Sequence, residues 1–247
     1  MSEQPYRRPP ITEAIIEIRY AAPIEPVHLE RGDVDFRPNY PFQQPTVNYG
    51  VAVGVSASTG NEPVTQVNRS DGRRLSSMDQ TELILLWPQS FIVAQLAPYP
   101  GWDNFFGRFA RDWKTWKRGV GYRKVARVGV RFINRIDIPQ VNRVIEEADY
   151  LNAYAKLPDE FGPVIAYGVQ AQFLPDDKGC RLTLNSASVP SPLLDHGSVL
   201  LDLDVGVETN PPQNDEDIYT LLNEMRAKKN AAFEACVTHR ARELFQR

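Results

Sequence analysis

The chain has 247 residues, of which 42% are hydrophobic and 24% charged, and its net charge is −3. A chain of this size builds a core without disulfide or metal staples. The slight acidic excess argues against general nucleic-acid binding, so no nucleic-acid partner is expected.

Residues 1–10 are polar and proline-rich, without the apolar stretch of a signal peptide. Residues 13–20 (EAIIEIRY) alternate as a strand does, with Ala14, Ile16, Ile18 and Tyr20 on one face and Glu13, Ile15, Glu17 and Arg19 on the other. Residues 21–46 are rich in proline and read as an irregular excursion with a helical turn near 27–30. Strand-like stretches follow at 47–55, 63–68, 81–87 and 91–96. The twenty residues 83–102 carry no charge, but Pro88, Pro98 and Pro100 interrupt them. Two strands joined by a Trp-Pro-Gln-Ser turn are therefore expected, not a membrane span.

Trp102, Phe105, Phe106, Phe109, Trp113 and Trp116 recur at steps of three and four, which puts six rings on one stripe of a helix over 102–118. Asp103, Arg108, Arg111, Asp112, Lys114 and Lys117 take the rest of its circumference. Such a stripe needs a wide apolar surface beneath it, most simply a sheet. Residues 124–138 then alternate over the longest strand signal in the chain, and Pro139 ends it. A short helix is expected at 141–153 and further strands at 167–174, 181–185 and 198–207. Acidic residues after Asn210 open a long C-terminal helix, as the helix dipole favours. Its apolar face is Ile218, Leu221, Leu222, Met225, Ala232, Phe233, Cys236 and Val237, and Thr238 kinks or re-caps it.

The order strand, antiparallel strands, amphipathic helix thus occurs twice. The expected fold class is α+β, a curved antiparallel sheet with amphipathic helices on one face. No Gly/Ser linker divides the chain, so one domain spanning 1–247 is expected, with pseudo-repeat halves 11–120 and 121–247. Cys180 and Cys236 sit among apolar neighbours and read as buried thiols of a cytoplasmic protein.

Arg127, Arg131 and Arg135 share one face of the long strand, about 14 Å apart at successive positions. With Glu17 and Arg19 of the first strand they form a candidate anion-binding set, because Arg binds phosphate or carboxylate bidentately. If the two strands are neighbours, Arg131 is placed to pair with Glu17; the alternative is a salt-bridged sheet surface. Asp202 and Asp204 follow Gly197-Ser198 too closely for a nucleotidyltransferase and read as the exposed side of a strand. His28, His196 and His239 lack ligand spacing, and no phosphate-binding glycine loop is present. No catalytic residue, metal site or cofactor is expected. The tryptophans of Trp113-Lys-Thr-Trp116 belong to the helical stripe, so that aromatic–basic mixture is not read as a nucleic-acid patch.

The opening 9–20 (PPITEAIIEIRY), the central 128–136 (VGVRFINRI) and the tail stretches 229–234 (KNAAFE) and 242–245 (RELF) resemble a sporadically distributed bacterial family of similar length. The resemblance implies no activity and no catalytic residues. The family's patchy distribution implies genes exchanged horizontally, among them phage-defence and toxin–antitoxin components. The leading expectation is a non-enzymatic sensor or adaptor that binds a protein partner encoded nearby. One alternative is an apolar or lipid-like ligand in a pocket between sheet and long helix, since 11 Phe, 10 Tyr and 4 Trp are available to line a cavity. The other is a phosphoanion-processing enzyme that uses the Arg/Glu strand face.

Overall fold

The computed structural model describes residues 6–55, 63–140, 145–162 and 164–246. Its elements in chain order are β1 (Ile11–Tyr20), α1 (Pro26–Phe36), β2 (Phe42–Val55), β3 (Pro63–Ser76), β4 (Glu82–Trp87), β5 (Ser90–Leu96) and α2 (Trp102–Val120). There follow β6 (Val125–Pro139), α3 (Glu147–Tyr150), β7 (Gly168–Gln172), β8 (Arg181–Val189), β9 (His196–Val207), α4 (Asp215–Cys236) and α5 (His239–Gln246). The nine strands form one open sheet in the order β2-β3-β4-β5-β1-β6-β9-β8-β7, with every neighbour antiparallel.

The order repeats about the central β1–β6 pair. In each half a first strand is followed by an excursion, then by a meander whose last strand returns to pair with the first. β5 pairs β1, and β9 pairs β6. Each meander ends in a helix, α2 or α4, laid across the sheet. The two halves therefore share one continuous sheet.

Alternation decides which face is dry. Ala14, Ile16 and Ile18 of β1, Val128, Val130 and Phe132 of β6, and Leu201, Leu203 and Val205 of β9 are all buried under the helices. The aromatic stripe of α2 closes the first core: Trp116 stacks on Phe91 at 5.6 Å and on Phe36 at 6.5 Å. Such ring pairs add roughly 0.5–1.5 kcal/mol each beyond their area. A second cluster joins Ile136, Ile138, Val199 and Leu201 to Phe233 of α4 and Phe245 of α5.

Four expectations need correction. The excursion 21–46 holds a full helix, α1, because Pro26 starts it and Leu29 and Phe36 anchor it in the core. The strand expected over 63–68 runs on to Ser76 as β3; Gly72 lies flat beneath Trp87, whose Cε3 would stand 2.4 Å from any added Cβ. Of the helix expected at 141–153 only Glu147–Tyr150 forms, and 141–144 lie outside the described residues. Arg108 and Asp112 do not face solvent. They are 6% and 1% exposed and meet Tyr40, whose hydroxyl donates to Asp112 Oδ2 and accepts from Arg108 Nη1 at 3.1 Å.

Candidate functional site

The helix-free face of the sheet gathers the five residues singled out as an anion site. β1 and β6 are neighbours, but Arg131 does not meet Glu17. Antiparallel register sets Glu17 opposite Gly129 and Arg19 opposite Arg127, so Glu17 Oε2 accepts from Arg127 Nη1 at 2.6 Å. Arg127 Nη2 also donates to both oxygens of Asp204 at 2.7 Å. Arg131 instead takes Asp202 bidentately, at 2.8 Å from Nε and from Nη2. Asp202 is itself buried, not exposed as the alternation suggested, and accepts a further bond from Asn185 at 3.0 Å. Arg19 donates to Glu17 at 2.9 Å, and Arg135 Nε lies 3.2 Å from Asp137. Burial pushes Glu13, on the same face, above the usual carboxylate range, against the pull of Arg131. Each of the five thus has an oppositely charged neighbour, as in the salt-bridged alternative, while Arg19 and Arg131 remain about half exposed.

Across the sheet, on the helical side, a cavity of about 650 Å³ opens where the first half meets the second. That is within the roughly 300–1,000 Å³ of small-molecule sites. Its floor is Ile11 of β1 with Phe132 and Asn134 of β6. One wall is the β5–α2 connection, Tyr99 to Trp102. The opposite wall is one face of α4: Arg226, Lys229, Asn230, Phe233 and Glu234, spaced i, i+3, i+4, i+7 and i+8. Tyr6, Arg7, Pro9 and Pro10 form the roof. This N-terminal segment is tied down by Arg8 N–H donating to Phe245 O at 3.0 Å and by Tyr6 Oη donating to Glu234 Oε1 at 2.7 Å.

The lining is aromatic with a charged side. Tyr99 meets Phe132 edge-on at 5.6 Å, and Trp102 stacks on Phe106 at 5.6 Å while its indole N–H donates to Asn223 at 2.8 Å. Lys229 Nζ lies 3.9 Å from the centre of the Phe132 ring, and the Arg226 guanidinium lies 5.8 Å from that of Trp102. Asn134 donates to Leu201 O at 3.0 Å. Burial, aided by Glu234, pushes the Tyr6 phenol up to about 12, and burial also raises Tyr99.

The matching place in the other half, at the start of α4, is largely plugged. There Trp113 Nε1 donates to Asp215 Oδ1 at 2.9 Å and Lys117 pairs with the same carboxylate, leaving a gap of about 290 Å³. Among the described residues no three His, Cys, Asp or Glu side chains are grouped as metal ligands.

From the sequence Phe233 is named for the core, and Lys229, Asn230, Pro9 and Pro10 only within the resembling stretches, while Arg226, Tyr6 and Arg7 are not singled out. A signal existed: Ile218, Leu222, Met225, Lys229, Phe233 and Cys236 are all buried on one stripe of α4, and a lysine interrupts it. Of the stretches singled out together in the sequence, 9–20, 128–136 and 229–234 each contribute residues to this cavity, and 242–245 does not.

No protein-family model and no curated protein matches the chain. Among solved structures it is similar to the di-domain ARO/CYC StfQ from the steffimycin biosynthetic pathway. That match has 11% identity and a TM-score of 0.22, covering 94% of this chain and 97% of the other. A likeness at that score bears neither on fold nor on function.

Proposed function

We propose that this protein binds a small molecule with a large apolar part, in the cavity between β1, β6 and α4. The observation that carries the reading is the cavity itself: about 650 Å³, walled by Tyr99, Trp102, Phe132 and Phe233 in a core otherwise filled by close ring contacts. The expected behaviour is binding without turnover. Two cysteines, both free and buried, suit a cytoplasmic setting. The direct test is titration with the neutral fluorophore N-phenyl-1-naphthylamine. One site per chain is expected, abolished by Asn230→Trp, which fills the cavity from α4, with circular dichroism unchanged. Absence of binding, or equal binding by the variant, removes the reading.

A second reading, a sensor or adaptor with a protein partner, is supported by the edge strand β7 at the end of the sheet. Ile165 and Leu174 flank it at 98% and 93% exposure, and Phe161 is 78% exposed. An open edge beside apolar side chains is the feature that strand addition uses. Ile165→Asp is then expected to release a co-purifying protein; retention of that protein by the variant counts against this surface. The bacterial-defence setting rests on the distribution of the resembling family alone.

A further inference from the structure

β7 ends the sheet, with β8 on one side and no described strand on the other. Its ladder shows which backbone groups are left over. Ser188 N–H donates to Tyr167 O at 3.0 Å, and Phe173 N–H donates to Leu182 O at 2.9 Å. Bonding alternates along an antiparallel strand, so Tyr167, Val169, Ala171 and Phe173 turn their backbone groups to β8. Gly168, Gln170 and Gln172 turn theirs outward. Sheet edges are usually blunted by charge or proline. Here no charged residue lies between Glu160 and Asp176, in a chain that is 24% charged, and β7 contains no proline. The opposite edge strand, β2, is interrupted by Pro45.

A two-fold axis through Gln170 makes this strand its own complement. Gln170 then exchanges both backbone bonds with the same residue of a second copy. Val169 faces Ala171, Gly168 faces Gln172, and Tyr167 faces Phe173, which is 50% exposed in the single chain. The flanks continue the match, with Leu174 against Ala166 and Ile165 against Pro175. Ile165 and Leu174 are the two most exposed large apolar side chains among the described residues. Polar residues thus meet polar or small ones, apolar meet apolar, and no charge meets its own copy, which would repel.

We infer that a second copy of this chain adds to the sheet at β7, antiparallel and centred on Gln170, so that two nine-stranded sheets become one. This inference rests on the edge-strand reading above and names its occupant. A partner of other sequence would have to supply an equally charge-free strand, which the second copy already carries. The axis closes the assembly at two. β7 is five residues long. The contact is therefore near the roughly 1,000 Å² lower bound of specific interfaces, and a dissociation constant on the order of 10–100 μM is expected.

Sedimentation equilibrium of the purified full chain from about 5 to about 500 μM brackets that constant. A reversible monomer–dimer equilibrium is expected. Gln170→Pro removes an outward N–H and no bond to β8, so it should weaken dimerisation at least tenfold with circular dichroism unchanged. Cysteine placement reads the register. Residues opposed in a hydrogen-bonded pair have Cα atoms roughly 5.5 Å apart, within disulfide reach, so Gln170→Cys should give a reducible dimer on oxidation. Gln172→Cys sets its thiols four residues out of register, roughly 13 Å along the strand, and should not. Cys180 and Cys236 are buried and stay out of the reaction. A parent that stays monomeric, a Gln170→Pro variant as dimeric as the parent, or crosslinking at 172 and not at 170 overturns the inference. A monomeric parent whose co-purifying protein is still released by Ile165→Asp leaves the edge-strand reading standing. A monomeric parent with no such release takes that reading down as well.

Discussion

Arg127 lies flat on the helix-free face of the sheet because two glycines opposite one another, Gly129 of β6 and Gly206 of β9, leave room for it. A Cβ at Gly129 would stand 2.1 Å from Arg127 Nη1, and one at Gly206 would stand 2.6 Å from Nη2. Gly129→Ala must therefore lift the guanidinium from Glu17 and Asp204. The side chains of Arg127, Glu17 and Asp204 are 9%, 13% and 30% exposed, so the loss lies between two regimes. An exposed pair is worth about 0.2–1 kcal/mol, and removing a partner from a buried pair costs about 3–5 kcal/mol. A cost of about 2–4 kcal/mol is expected for Gly129→Ala. In an Arg127→Ala background the clash is absent, and alanine in a strand interior is favoured over glycine by roughly 0.5–1 kcal/mol. The same substitution should then stabilise. Urea unfolding of the four proteins in this cycle, followed by circular dichroism, reads the reversal as a coupling of about 3 kcal/mol. A Gly129→Ala effect of equal size in both backgrounds would refute the reasoning.

The buried charges between α1 and α2 make Tyr40→Phe costly: Asp112, 1% exposed, loses the phenol donor and keeps Arg111 Nε at 2.8 Å. A destabilisation of about 1–3 kcal/mol is expected in urea unfolding, and a neutral result contradicts the network. Burial raises Tyr6 to about 12 and lifts Tyr20, Tyr40, Tyr99, Tyr167 and Tyr219 above the ordinary phenol. Because the folded state holds these protons more tightly, their contribution is whole below the unfolded value near 10 and is lost as pH rises toward the folded values. Phenolate absorbance should rise in two steps, the second coincident with alkaline unfolding. A single step near the ordinary value with structure intact speaks against it. Burial also raises both thiols, Cys236 to about 11. At pH near 8 a disulfide reagent should modify neither cysteine in the native protein and both in urea; rapid native labelling contradicts that burial.

Much of the fold was legible because it is written in local periodicity. The alternation of residues 13–20 put Ala14, Ile16, Ile18 and Tyr20 on one face, which is the buried one, and the aromatic stripe of α2 packs as its spacing requires. What the sequence left open depends on pairing between distant strands. Arg127, Arg131, Glu17, Asp202 and Asp204 could be placed on faces, but which carboxylate each arginine takes follows from the register of β1, β6 and β9. Arg108 and Asp112 read as polar surface because the partner that permits their burial, Tyr40, lies 72 residues from Asp112 in the sequence. A pocket between sheet and long helix was one alternative that the aromatic content allowed, and nothing in the sequence marked its charged side. Lys229 stood within an apolar stripe, and only the closing of the N-terminal segment over α4 shows that a cavity lies beside it.

The central claim is that a small molecule occupies this cavity. Native mass spectrometry of the protein isolated from cells, beside Asn230→Trp prepared identically, tests it most directly. The account predicts a one-to-one adduct of small-molecule mass on the parent that harsher desorption strips and that the variant lacks. Parent and variant both at bare chain mass, or both carrying the same adduct, would contradict it.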